Sequence, residues 1–342
     1  MPGSNSDMMK KVAAVMLVFT LTVLSLCGCG KSSSDKELVK VKLNEVAHSI
    51  FYAPQYVAIE NGYFKEEGID IELVNGAGAD NVMTAVLSGE ADIGFMGSEA
   101  SIYVYNQGSG EKIINFAQLT QRAGNFLVAR QKDDEFTWDK LKGKTVLAGR
   151  KGGMPQMVFE YILKKNDIDP AKDVKMVQNI DFGLTAEAFA SGQGEYSVEF
   201  EPFAASLEKE GKGVVVASLG VDSGKVPYTA YSAKESYLKE NEDIIRRFTK
   251  ALQKGMDYVK QHSPEEIAKV IQPQFAETDA QVLTTIVKRY YEQDTWKDNL
   301  VFEKESFELL QDILESGGEL EKRVPYEELV DTRFAAEVSK TE

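Results

Sequence analysis

The sequence predicts an α/β protein built as two doubly wound lobes, on three observations. Short apolar runs alternate with amphipathic helical stretches, strand before helix, as a largely parallel sheet covered by helices requires. That alternation occurs twice, with a short, strongly charged stretch between the two series. About 310 residues lie beyond the polar N-terminal segment, enough for two cores of ordinary size.

The first series opens with a strand over 41–47, where apolar and polar residues alternate. A helix follows over 54–66, with Pro54 suited to its first turn and Tyr56, Val57, Ile59, Tyr63 and Phe64 on one broad face. A strand over 69–74, a Gly-Ala-Gly turn at 76–78 and a helix over 79–88 come next, the helix with Val82, Ala85 and Val86 at helical spacing. A buried strand at 92–96 and a helix at 98–106 complete the unit, and further strands are expected at 113–119 and 125–129. The charged run Lys132, Asp133, Asp134, Glu135 suits a joint between lobes. The second series reads as strand 145–148, helix 154–166, strand 174–177, helix 182–190, strand 196–200, helix 202–209 and strand 214–217, with a return strand at 228–232. From residue 235 the pattern is helical: 244–261, 264–271, 279–293 and 303–316, with Asp243, Ser263, Thr278 and Asn299 where caps or turns belong.

The N-terminus has the order of an export signal. Lys10 and Lys11 precede an uncharged, largely apolar run at 12–26, shorter than the roughly 20 residues a helix needs to cross a bilayer. Leu26-Cys27-Gly28-Cys29 resembles a bacterial lipobox, which implies a signal peptide over 1–28 and acylation of Cys29. Buried acyl chains contribute about 0.8 kcal/mol per methylene, so several hold a soluble domain at a membrane. Lys31-Ser32-Ser33-Ser34-Asp35 is small and polar, so that residues 29–39 read as a leash, placing the protein on the extracytoplasmic face of the cell membrane.

The chain carries 39 basic and 54 acidic residues, a net charge of −15. Beyond residue 28 the net is −16, because Lys10, Lys11 and Asp7 fall within the signal. A nucleic-acid partner needs a basic patch and is not expected. Cys27 and Cys29 are the only cysteines, so the folded part has no disulfide, thiolate nucleophile or thiolate metal site.

The phrase Phe51-Tyr52-Ala53-Pro54-Gln55-Tyr56-Val57-Ala58-Ile59-Glu60-Asn61-Gly62-Tyr63-Phe64 resembles the opening of a subfamily of ABC-importer solute-binding proteins. Glu67-Gly68-Ile69-Asp70-Ile71, Leu87-Ser88-Gly89-Glu90-Ala91-Asp92-Ile93-Gly94 and Leu141-Lys142-Gly143-Lys144 continue the match in order. The subfamily binds alkanesulfonates, taurine, nitrate or the pyrimidine precursor of thiamine. The resemblance implies the periplasmic-binding-protein type II fold, in which two doubly wound lobes are joined by two crossover strands and close by hinge motion on a ligand in the cleft. It places the crossovers at 125–130 and 228–232, lobe one at 40–130 plus 230–342, and lobe two at 131–229. The implied partners are a small-molecule solute and an ABC permease with its ATPase, the protein itself being a monomer without cofactor or resident metal.

Ligands of open parallel sheets bind beyond the carboxyl ends of strands. Four loops meet that rule: 48–52, 97–100, 149–155 and 199–203. The second and third present helix N-termini, suited to an anion, a carboxylate or a polar heterocycle. Candidate ligand-binding residues are His48, Phe51, Tyr52, Ser98, Glu99, Gly152, Gly153, Met154, Glu201 and Tyr228, with Phe182 a further aromatic able to stack on a flat ligand. Glu99 and Glu201 favour a solute bearing an amino group or ring nitrogens. Two carboxylates repel a bare anion unless Arg150 or Lys151 compensates.

An enzyme on the same fold is the main alternative. Relatives that make the thiamine pyrimidine carry a cysteine-rich motif that this chain lacks, and no Gly-x-Ser-x-Gly elbow, zinc-type His pair or complete dinucleotide fingerprint occurs. No enzyme activity is expected. A sensing lipoprotein remains compatible with the fold, whereas an adhesin would show repeats.

Overall fold

The computed structural model describes residues 38–181 and 183–339. The expected signal peptide, Cys29, most of the leash and Phe182 lie outside them. Ten strands form among the described residues: β1 (Val39–Glu45), β2 (Ile69–Asn75), β3 (Ile93–Gly97), β4 (Ile113–Gln118), β5 (Phe126–Ala129), β6 (Thr145–Leu147), β7 (Lys175–Val177), β8 (Tyr196–Glu199), β9 (Val214–Ser218) and β10 (Thr229–Lys234).

They make two five-stranded sheets of matching plan, in the orders β2-β1-β3-β10-β4 and β7-β6-β8-β5-β9. In the first, β1 runs parallel to β2 and β3, and β10 is antiparallel to β3 and β4. In the second, β6 runs parallel to β7 and β8, and β5 is antiparallel to β8 and β9. Each sheet thus receives its one antiparallel strand from a chain segment that has just left the other sheet. The chain passes between the sheets over 119–125 and 219–228. The charged stretch 132–135 is therefore not a joint: β5 is already hydrogen-bonded into the second sheet before it, and Asp133 and Asp134 pair locally with Lys140 (2.6 Å) and Lys132 (2.8 Å).

Local chemistry explains where the helices differ from expectation. The helix expected over 54–66 is two, Ala53–Glu60 and Tyr63–Glu66, because Gly62 adopts φ +75° and breaks the run. Ser263 builds a capping box with Glu266 for the helix Pro264–Ile271. Asp279, one residue after Thr278, caps Ala280–Glu292 through the N–H groups of Gln281 and Val282. Asp243 lies in the first turn of Glu242–Gln261, not before it, and Asn299 accepts from Val301 N–H in a turn. No described helix is long and apolar enough to cross a membrane.

The long helix Glu242–Gln261 packs on Ala53–Glu60, burying Ile245, Phe248 and Leu252 completely. Each such side chain contributes about 1.5–3 kcal/mol. Gly255 permits the approach, since a Cβ there would strike the Pro54 carbonyl oxygen. Within the first sheet Phe95 and Tyr231 stack at 4.1 Å, and Tyr52 meets Phe95 edge-on at 4.5 Å.

Candidate ligand cleft

The carboxyl ends of both sheets face one cleft, holding about 890 Å³ of space including its opening to solvent. Its first-sheet wall comes from Val46, Tyr52, Gly78, Ala79, Gly97 and Glu99; its second-sheet wall includes Gly149, Arg150, Gly153, Met154, Val198, Glu199 and Phe200. Asn125 and Tyr228, at the ends of the two chain segments that run between the sheets, and Thr229, the first residue of β10, also line the cleft. The location follows from topology, because parallel strands leave helix N-termini and loop backbones unpaired at that end.

Glu99 opens the helix Glu99–Asn106 and is 3 % exposed. Its Oε2 has no hydrogen-bond partner. Burial pushes the carboxyl from the ordinary 4.5 up to about 8, against a bond from its own backbone N–H and the pull of the Arg150 charge. Gly97 makes room for this carboxyl, because a Cβ at that position would overlap it. Asn125, 1 % exposed, accepts from the Tyr228 hydroxyl through Oδ1, which turns its Nδ2 away without a partner. The cleft therefore holds one buried acceptor and one buried donor that the protein leaves unmatched.

The opposite wall carries a second acid. Glu199 ends β8, is 1 % exposed, and accepts from the Ser197 and Thr185 (3.1 Å) hydroxyls. Burial raises its carboxyl to about 7, with those hydroxyls opposing the shift. At the rim, the Arg150 guanidinium grips Asp80 with both Nη atoms, tying the loop before helix Met154–Lys165 to the start of helix Ala79–Ser88. This pairing holds the Asp80 carboxyl below its usual range.

Of the candidates read from sequence, Tyr52, Glu99, Gly153, Met154 and Tyr228 line the cleft. Five do not. His48 stacks on Phe275 and places its ring nitrogens against Glu45 Oε1 (2.7 Å) and the Gln274 carbonyl (2.8 Å). Phe51 is wholly buried beneath Gly124 and against Tyr228. Ser98 is buried, its hydroxyl on the Pro227 carbonyl. Gly152 is half-buried outside the cleft lining, its carbonyl accepting from Tyr103 (3.1 Å) and its N–H donating to Gln156 Oε1 (2.8 Å). Glu201 is fully buried and ion-paired with Arg289 (2.6 Å), which also holds Glu208. Sequence reading missed Asn125 and Glu199. The alternation along β8 carries a signal for the latter, since Ser197 and Glu199 must share a face. No described group of three or more His, Cys, Asp or Glu residues is arranged to hold a metal.

A family model described as NMT1/THI5 like matches residues 50–267. The chain belongs to the NMT1/THI5-like family. This NMT1/THI5-like chain is similar to "Putative binding protein YtlA" of Bacillus subtilis, 49 % identical over 96 % of each chain. The formylaminopyrimidine-binding protein of Halalkalibacterium halodurans is 25 % identical, over 77 % of this chain and 79 % of its own. A 4-amino-5-hydroxymethyl-2-methylpyrimidine phosphate synthase of Saccharomyces cerevisiae is also 25 % identical, over 61 % of this chain and 63 % of its own. The alkanesulfonate-binding protein SsuA of Xanthomonas axonopodis has the same fold (TM-score 0.69, 15 % identity, 86 % of this chain and 99 % of that one). The fold of the NMT1/THI5-like chain is thus the two-lobed periplasmic-binding-protein architecture expected from sequence.

Proposed function

We propose that this protein is an extracytoplasmic solute-binding lipoprotein of an ABC importer, and that its cleft captures an amino-substituted, pyrimidine-like heterocycle. The observation that carries the proposal is the pair of unmatched buried groups, Glu99 Oε2 and Asn125 Nδ2, in one aromatic-lined cleft. A buried polar group without a partner costs about 1–3 kcal/mol, so a solute that satisfies both recovers that amount twice. An aminopyrimidine brings an exocyclic N–H donor for Glu99 and a ring-nitrogen acceptor for Asn125 on one rigid, flat edge. Tyr52, Phe200, Phe203 and Tyr228 line the same space and supply apolar ring surface.

A sulfonate or nitrate fits these walls less well. Arg150 is the one basic residue among the described residues of the lining, and Asp80 already balances its charge. Lys151 is largely exposed, 3.8 Å from Glu319. An anion would sit beside two buried acids with no uncommitted cation. Binding rather than synthesis is supported by the absence of thiols from the cleft, the chain's two cysteines being Cys27 and Cys29. An acylated Cys29 and the leash would keep the closed, loaded protein near its permease.

A thermal-shift panel of aminopyrimidines, taurine, alkanesulfonates and nitrate tests the proposal. Aminopyrimidines should raise the melting temperature of the wild-type protein and leave Asn125→Ala unmoved. Stabilisation by alkanesulfonates alone would overturn it.

A further inference from the structure

Resting on that heterocycle reading, we propose that the cleft takes its solute as a cation, clamped between the Glu99 carboxyl on the first-sheet wall and the Glu199 carboxyl on the second. The substrate class is then narrower than a neutral aminopyrimidine. It is a heterocycle carrying a second, protonated nitrogen, with N–H donors at two ends.

The argument is one of charge balance in a dry site. Both carboxyls line the same cleft from opposite sheets, 3 % and 1 % exposed. Elsewhere this fold gives a buried acid its counter-charge: Glu201 has Arg289, and Glu45 has His48. Among the described residues neither cleft acid has an ion pair of its own. Glu99 faces the already paired Arg150 and Asp80 and the neutral phenols of Tyr52, Tyr103 and Tyr228. Among the described residues Glu199 accepts from the Ser197 and Thr185 hydroxyls and has no charged partner. Buried carboxylates without a cation are strongly disfavoured, so both groups hold their protons far above the usual carboxyl range. A cationic solute reverses this balance. Its N–H groups meet Glu99 Oε2 and the lone pairs that the two hydroxyls leave free on Glu199, and the pair of carboxyls sheds one proton to water for the one positive charge it gains. The surrounding aromatic faces suit a cation better than an anion. Because the acids belong to different sheets, the same contact that recognises the charge also draws the walls together.

Isothermal titration of the wild-type protein at pH 7 with 4-amino-5-(aminomethyl)-2-methylpyrimidine, an ammonium ion at that pH, against its neutral 5-hydroxymethyl analogue tests the inference. The cation should bind at least tenfold tighter, with net proton release revealed by buffers of different ionisation enthalpy. In Glu99→Gln and in Glu199→Gln, each checked for a cooperative melt, the preference should fall towards unity. Equal or tighter binding of the hydroxymethyl analogue, or cation binding without proton release, would overturn the clamp while leaving the heterocycle reading standing. Preference unchanged in either variant would also overturn it. Failure of both probes to bind would sink both readings. The proton-release measurement needs no variant and decides the matter if either substitution prevents folding.

Discussion

Replacing Glu99 by Gln should stabilise the unliganded protein increasingly as pH rises. In the unfolded chain this carboxyl loses its proton at the ordinary 4.5, whereas in the fold burial delays ionisation to about 8. Between those values the folded state binds more protons than the unfolded one, so stability falls with rising pH. The loss is absent below 4.5, grows through the window and is complete above about 8. Each pH unit within it is worth about 1.4 kcal/mol, giving roughly 3 kcal/mol by pH 7 as an upper value. The amide introduced by Glu99→Gln cannot ionise and escapes this loss. Its own hydrogen-bonding mismatch adds an offset that does not vary with pH, so the slope is the signal. Urea denaturation of both proteins at pH 5, 6, 7 and 8 provides the assay. The stability difference should swing towards the variant by about 3 kcal/mol across that range. A constant difference would refute the claim that this carboxyl is buried without a counter-charge.

Three further outcomes follow from the same geometry. Arg289→Met strips the cation from fully buried Glu201 and should cost about 3 kcal/mol in denaturant titrations at pH 7, less at pH 5 where Glu201 takes up a proton. His48→Phe keeps the ring stack on Phe275 but loses the bonds to Glu45 and Gln274. The bond to Glu45 raises the imidazole above its ordinary 6.5, so its contribution is full below that value and fades as pH climbs past it. A destabilisation of about 1 kcal/mol at pH 6 should therefore shrink by pH 9. Gly97→Ala puts a methyl group where the Glu99 carboxyl lies. Aminopyrimidine affinity should fall at least tenfold by titration calorimetry while the protein still melts cooperatively.

The alternation of strands and helices was legible because apolar periodicity is a local property, and it located four loops that contribute to the cleft, though not the turn at Gly78 and Ala79 or the segment of Ile180, Gly183 and Thr185 that also line it. What one chain segment does to another was not. Glu45 illustrates this: it reads as part of an ordinary strand, yet it is fully buried and gathers His48, Gln55 and Tyr56 from the following loop and helix. That network draws His48 away from the ligand space. Glu201 stands two residues past the β8 acid that lines the cleft, and a partner 88 residues away, Arg289, turns it to the opposite side. Asn125 carried no sequence signal, since its role depends on the Tyr228 hydroxyl occupying its oxygen. The helix expected over 54–66 failed for a simpler reason, the left-handed backbone at Gly62. Loops were readable, and the facing of side chains within them was not.

A crystal structure of the protein with a bound aminopyrimidine tests the central claim most directly. The exocyclic amino group should lie within hydrogen-bond distance of Glu99 Oε2 and a ring nitrogen within reach of Asn125 Nδ2, with the ring among Tyr52, Phe200 and Tyr228. A heterocycle seated elsewhere, or one in the cleft that leaves both Glu99 Oε2 and Asn125 Nδ2 unbonded, would contradict it.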